Sequence, residues 1–160
     1  MKKPRLTWDE YFIKISALVA ERSTCLRHNI GAVIVRDKRI ITTGYNGAGA
    51  GKESCLDKGI CLKDELGIAS GEKHEKCAAI HAEQNAIIQG AYHGTLLKGG
   101  TIYSTHTPCM ICAKMILNAG LEKVVSYHGY ADREAQEYLK EAGIKLDLIK
   151  RPDKTIIFKD

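Results

Sequence analysis

Apolar residues recur at three- and four-residue intervals at Trp8, Tyr11, Phe12, Ile15, Leu18 and Val19. That spacing predicts a helix with one face on a core. Thr7, with Glu10 three residues later, has the form of a capping box, so the helix is expected to start there and to run through Glu21. The period then changes. Ile30 to Val35 and Arg39 to Thr43 are apolar, β-branched segments joined at Asp37-Lys38, the pattern of a β-hairpin, and Gly44-Tyr45-Asn46-Gly47 ends its second strand. From Ala48 to about Lys76 the chain carries Gly, Cys and charge with little periodicity. Such a stretch is long for a compact domain unless something pins it. Helical spacing returns from Ile80 to Ala91, with Ile80, Ile87, Ile88 and Ala91 as expected core contacts. A strand over Thr101 to Thr105 leads into Pro108, and a helix over Cys109 to Ala119 is ended by Gly120. Strand, helix and strand follow at Val124 to Tyr127, Ala131 to Ala142 and Lys145 to Ile149, with a last short strand expected over Thr155 to Phe158. An opening hairpin followed by alternating helices and strands predicts an α/β fold, a three-layer α/β/α sandwich with a mixed central sheet.

Composition narrows the setting. The 160 residues suit one domain over 1–160, with a core that needs no disulfides. Six cysteines without a convincing export signal point to a reducing compartment, where thiols serve metals, so the expected location is cytoplasmic. Met1-Lys2-Lys3 and the apolar stretch after it imitate a signal peptide, but Asp9, Glu10 and Lys14 interrupt it, and no run approaches a membrane span. The formal net charge of +5 is spread among acids, which does not imply a nucleic-acid partner and is compatible with a phosphorylated small substrate.

The chemistry is concentrated in His81-Ala82-Glu83 and Pro108-Cys109-Met110-Ile111-Cys112. Cys109 and Cys112 have the spacing that brings two thiolates to one metal, and His81 adds an imidazole nitrogen. Three protein ligands leave a fourth tetrahedral position for water, the arrangement of a catalytic zinc rather than a closed structural one. Glu83 is placed to take a proton from that water and pass it to a leaving amine. His-x-Glu with Pro-Cys-x-x-Cys is the signature of zinc deaminases. On these residues the chain resembles the cytidine and deoxycytidylate deaminase superfamily, from about Thr7 to about Leu148. Gly44-Tyr45-Asn46-Gly47, Arg22-Ser23 and His81 to Ile87 resemble the deoxycytidylate (dCMP) deaminases in particular.

The resemblance implies hydrolytic deamination of dCMP to deoxyuridine monophosphate (dUMP) and ammonia. A zinc-bound hydroxide would attack the amine-bearing ring carbon, with Glu83 as the catalytic proton carrier. It also implies that Asn46 binds the sugar hydroxyl, that Tyr130 packs at the nucleotide, and that Thr105 to Thr107 line the base pocket. Arg22 is either a solvated helix residue or a phosphate ligand. dCTP and dTTP as effectors and a homo-oligomer follow from the same likeness, although the glycine-rich stretch Gly47 to Gly51 departs from the Gly-x-Pro form common after this motif. The rival readings are a tRNA adenosine deaminase, a riboflavin-pathway deaminase and a noncatalytic zinc-binding assembly protein. The first lacks a basic C-terminal helix, the second an attached reductase domain, and the third has no use for Glu83.

Four further cysteines and a histidine lie outside the trio. His74 and Cys77 have ligand spacing, and Cys25 can meet Cys55 if the segment at about 48–77 folds back, so a second, structural zinc held by Cys25, Cys55, His74 and Cys77 is expected to pin that insert. Cys61 is the alternate ligand.

Overall fold

The computed structural model describes residues 5–127 and 132–151. Its elements run α1 (Trp8–Ala20), β1 (Gly31–Arg36), β2 (Arg39–Tyr45), β3 (Gly47–Ala48), α2 (Cys55–Lys58), α3 (Leu62–Glu65), a 3₁₀ turn (His74–Lys76), β4 (Ala79–Ile80), α4 (Ala82–Tyr92), β5 (Thr101–Ser104), α5 (Met110–Asn118), β6 (Lys123–Ser126), α6 (Arg133–Glu141) and β7 (Lys145–Leu148). Five strands form one sheet in the order β2-β1-β5-β6-β7. β1 is antiparallel to both neighbours, whereas β5, β6 and β7 are parallel, so the sheet is mixed as the sequence predicts. The expected strand over Thr155 to Phe158 lies outside the described residues.

Alternation along the strands divides two cores, because successive side chains point to opposite faces. Ala32, Ile34, Ile102 and Val124 join Ala86 of α4, Ile116 of α5 and Leu139 of α6 on one face. Val33, Val35, Tyr103 and Val125 meet Phe12 and Ile13 of α1 on the other. One helix therefore covers one face and three cover the opposite face, giving the α/β/α layers. The capping box of α1 forms as read: the Thr7 backbone N–H donates to Glu10 Oε2 at 2.7 Å, and the Glu10 N–H donates to Thr7 Oγ1 at 3.2 Å. The hairpin turns at Asp37 and Lys38, both with positive φ (51° and 59°), a pairing suited to the strong twist of a two-residue connection.

Two helix faces differ from expectation, for one physical reason. In α1 the buried residues are Phe12, Ile13, Ser16 and Ala20, while Trp8, Tyr11 and Leu18 are exposed. In α4 they are Ala82, Glu83, Ala86 and Gly90; Ile87 packs at the margin of the core, and Ile88 and Ala91 face solvent. Both helices press backbone against a strand glycine. A Cβ on Gly31 would stand 2.1 Å from the Ser16 carbonyl oxygen, and one on Gly44 would stand 2.3 Å from both the Ala82 carbonyl oxygen and the Ala86 nitrogen. Small residues must face such contacts, and the bulky ones turn outward.

The Gly44 contact sets the seat of α4, which carries two residues of the site. Gly44→Ala is expected to destabilise the fold by about 2 kcal/mol or more, since overpacking against backbone has no flexible side chain to yield. The same substitution at Gly49, where only Ile80 Cδ1 comes near, at 3.8 Å, should be close to neutral. Urea unfolding of the two variants makes the comparison.

Candidate metal centre and substrate cavity

Two helix N-termini meet beyond the carboxyl ends of β5 and β6. His81 is the N-cap residue of α4 and Glu83 lies in its first turn; Cys109 is the N-cap residue of α5, with Cys112 one turn along. Local bonds fix both ends. The His81 backbone N–H donates to Gln84 Oε1 at 2.8 Å, Asn85 Nδ2 donates to the Tyr45 carbonyl at 2.8 Å, and Asp132 Oδ2 accepts the Met110 N–H at 3.0 Å. Asp132 also caps α6 through Oδ1, which accepts the Ala135 N–H at 2.9 Å.

The trio closes as a ligand set. His81 Nδ1 lies 3.5 Å from Cys109 Sγ and 3.4 Å from Cys112 Sγ. A tetrahedral metal about 2.1 Å from nitrogen and about 2.3 Å from sulfur separates those atoms by about 3.6 Å, so the donors fit zinc. Among the described residues, this is the sole group of three or more possible ligands whose donor atoms all lie within 4.8 Å of one another. The hydrogen bond from Cys112 and the neighbouring His81 pull the Cys109 thiol down to about 3, whereas its bond to Cys109 and burial push the Cys112 thiol up. His81 is raised, chiefly by its bond to Cys109. The pair thus holds a thiolate ready, and a metal takes the place of the remaining thiol proton. Both helix dipoles favour that negative charge.

Glu83 is 4 % exposed. Ser104 Oγ donates to its Oε1 at 2.9 Å, and the Cys112 thiol approaches its Oε2 at 3.7 Å. Burial raises its pKa from the ordinary carboxylate value. A carboxyl shifted in that direction can both accept a proton and return it. Ser104 was not singled out in the sequence; its place at the end of the strand before Pro108 is the signal that it faces the site.

A cavity opens from His81, Glu83 and Cys109 past Asn46 and Thr107 toward the insert. Asn46 does line it, but its amide also braces the wall: Oδ1 accepts the Ile30 N–H at 2.9 Å and Nδ2 donates to the His28 carbonyl at 2.8 Å. Those two bonds leave one hydrogen and one lone pair of the side-chain amide for further contacts. Thr105 is buried, and its Oγ1 accepts the Gly31 N–H at 3.2 Å, tying β1 to the loop before Cys109. Thr107 Oγ1 lies 3.3 Å from Ser126 Oγ. Arg22 is exposed and is not among the residues lining the cavity. Tyr130 lies outside the described residues. His106 lines the cavity within the expected stretch Thr105 to Thr107, whereas Arg27, His28 and Lys63 line it and were missed, because nothing local in the sequence connects them.

His74 does not stand with the cysteines as expected. Its ring meets His81 edge-on, with centroids 4.7 Å apart, and burial lowers its pKa. The 3₁₀ turn delivers it beside His81, while Cys77, Cys25, Cys55 and Cys61 also line the cavity. These thiols are near enough that Cys61, Cys25 and Cys77 each add to the upward shift that burial imposes on Cys55. Neither the quartet Cys25, Cys55, His74 and Cys77 nor any three of the four cysteines Cys25, Cys55, Cys61 and Cys77 is drawn together within 4.8 Å among the described residues.

Known proteins place the geometry. ComE operon protein 2 of Bacillus subtilis (strain 168) is 39 % identical over 158 residues, covering 98 % of this chain and 78 % of that protein. Deoxycytidylate deaminase of Schizosaccharomyces pombe is 32 % identical over 153 residues, and the chain spans about half of its length, 47 %. The dCMP deaminase of cyanophage S-TIM5, solved in complex with dCMP and dUMP, superposes with a TM-score of 0.76 at 27 % identity, covering 92 % of this chain and all of that one (100 %). The model of the cytidine and deoxycytidylate deaminase zinc-binding region matches residues 6–128, a span that contains the whole His81, Glu83, Cys109 and Cys112 constellation, and the chain belongs to that family.

Proposed function

We propose that the chain deaminates dCMP hydrolytically to dUMP and ammonia, as a single deaminase unit over 1–160 with an insert at about 48–77. The observation that carries this is the buried carboxyl of Glu83 beside a trio that fits zinc, in a fold shared with a dCMP deaminase. Zinc held by His81, Cys109 and Cys112 supplies a Lewis acid that makes water acidic enough to attack at neutral pH. Glu83 removes a proton from the attacking water and delivers it to the ring nitrogen beside the amine-bearing carbon. A second proton from the same oxygen passes by way of Glu83 to the amine, which leaves as ammonia while the carbonyl forms. Ser104 keeps the Glu83 carboxyl aimed throughout. Asn46 and Thr107 line the cavity where sugar and base would lie. Thr105 positions the loop, and Tyr130 is the candidate for packing on the nucleotide.

A second zinc in the insert is part of the same reading, with its ligands revised to Cys25, Cys55, Cys61 and Cys77. The support is that all four line the cavity and that the other three act on the charge of Cys55. Two zinc ions per chain in purified protein are the expected stoichiometry. dCTP and dTTP as effectors and a homo-oligomer rest on the family likeness alone, and a cytoplasmic setting rests on the cysteine content. No described helix is long and apolar enough to cross a membrane.

Ammonia release from dCMP, deoxycytidine, cytidine and guanine, with and without dCTP, tests the assignment. A strong preference for dCMP is expected. Silence on every free nucleotide and base would instead move the activity to tRNA or to a noncatalytic role.

A further inference from the structure

The start of α5 cannot cap itself. In a capping box the N-cap side chain accepts a backbone N–H from the first turn, and the side chain three residues on reaches back to the N-cap N–H. In α4, Gln84 fills the second of these roles by accepting the His81 N–H at 2.8 Å. In α5 the same two positions are Cys109 and Cys112, whose sulfurs stand 3.5 Å and 3.4 Å from His81 Nδ1. Both side chains belong to the trio, and Cys109 makes no side-chain cap. The first N–H of the helix, at Met110, is met from outside: Asp132 Oδ2 accepts it at 3.0 Å, from 22 positions further along the chain.

That bond acts on Cys109. The peptide group between Cys109 and Met110 supplies the N–H that Asp132 accepts and also the carbonyl that accepts the Ala113 N–H at 2.8 Å. A peptide plane held at both ends fixes ψ of Cys109, here 171°. This angle sets where the Cys109 Cβ and sulfur stand relative to α5, and therefore relative to Cys112. Asp132 is itself firmly placed. Its Oδ1 accepts the Ala135 N–H at 2.9 Å, and α6 lodges Ala135 and Leu139 in the core beside Ala113 and Ile116 of α5. One carboxylate thus serves two helix starts, with one oxygen for each. Asp132 is not among the residues lining the cavity, so its route to the chemistry runs through Cys109.

We propose that Asp132 is the positioning residue of the metal centre: by capping α5 in place of the two cysteines, it holds Cys109 in the geometry that binds zinc. The proposal rests on the reading of the trio as a zinc site, and it is tested by metal affinity rather than turnover. Two substitutions separate it from a plain cap of α6. Serine has a single oxygen, which suits the N-cap of α6 but leaves Met110 without an acceptor, and alanine serves neither helix. Zinc affinity is read by competition with a chelator, with Cys112→Ser as the blank for zinc held outside the trio. Asp132→Ser and Asp132→Ala should both weaken the trio's hold on zinc on the order of tenfold, as loss of a group that orients a metal ligand does. Asp132→Ala should also melt about 2–4 °C below Asp132→Ser, because it alone loses the α6 cap. If the alanine variant fails to fold, the serine variant carries the test. Wild-type zinc affinity in Asp132→Ser would overturn the proposal and leave Asp132 a cap of α6. Zinc loss that only tracks the unfolded fraction, read by circular dichroism, would overturn it too. Zinc affinities that change as described in a protein that releases no ammonia from dCMP would contradict the catalytic reading alone.

Discussion

Glu83→Gln is expected to lower turnover of dCMP about a thousandfold, within the range for loss of a general acid–base group, while leaving the zinc content unchanged. Glutamine has the same shape, and its carbonyl oxygen can still accept the Ser104 hydroxyl that now reaches Glu83 Oε1 at 2.9 Å. It cannot take up a proton. Four transfers depend on that ability: two from the oxygen of the attacking water, one to the ring nitrogen and one to the departing amine. The fold should hold, because the amide replaces a buried carboxyl whose neutral form burial already favours. Steady-state rates and zinc analysis on the same preparation decide it. Full activity in a zinc-replete variant would remove Glu83 from the mechanism.

Cys112→Ser is expected to remove both metal and activity. Cys112 is fully buried, with Sγ 3.4 Å from His81 Nδ1, so its loss leaves two ligands at the centre of the fold. Serine keeps nearly the volume of the thiol, and the change therefore reads metal affinity rather than a cavity. One zinc per chain should be lost, with turnover reduced to background. Because zinc binds the folded chain in preference to the unfolded one, thermal stability should fall as well. A chelator should lower the wild-type midpoint toward that of the variant. A wild-type midpoint indifferent to chelation would mean that the trio contributes no metal-linked stability.

The catalytic trio is legible in the sequence because its spacing is local: His81 and Glu83 share one helix start, and Cys109 and Cys112 share another. The hairpin and the capping box of α1 are legible for the same reason, since each is closed by residues three or four apart. Pattern failed where backbone meets backbone across the fold. Gly31 and Gly44 admit helices so closely that Ser16, Ala20, Ala82 and Ala86 face the sheet; Phe12, Ile15, Val19 and Ile87 reach the cores as periodicity expects, whereas Trp8, Tyr11, Leu18, Ile88 and Ala91 do not. The struts formed by Asn46 and Thr105 join segments 16 and 74 positions apart, and a composition reading has no view of them. His74 has ligand spacing to Cys77, yet the turn between them sends its ring to His81. Lys63 reads as one charge among many in a polar stretch; only the folded insert, held by Arg27 on Asp64, buries it.

The most direct test of the account is the fate of dCMP incubated with zinc-loaded protein in water enriched in the heavy oxygen isotope. The account predicts dUMP carrying the solvent isotope at the former amine position, with ammonia in equal amount. Unchanged dCMP would contradict it, and so would ammonia released without solvent oxygen entering the ring.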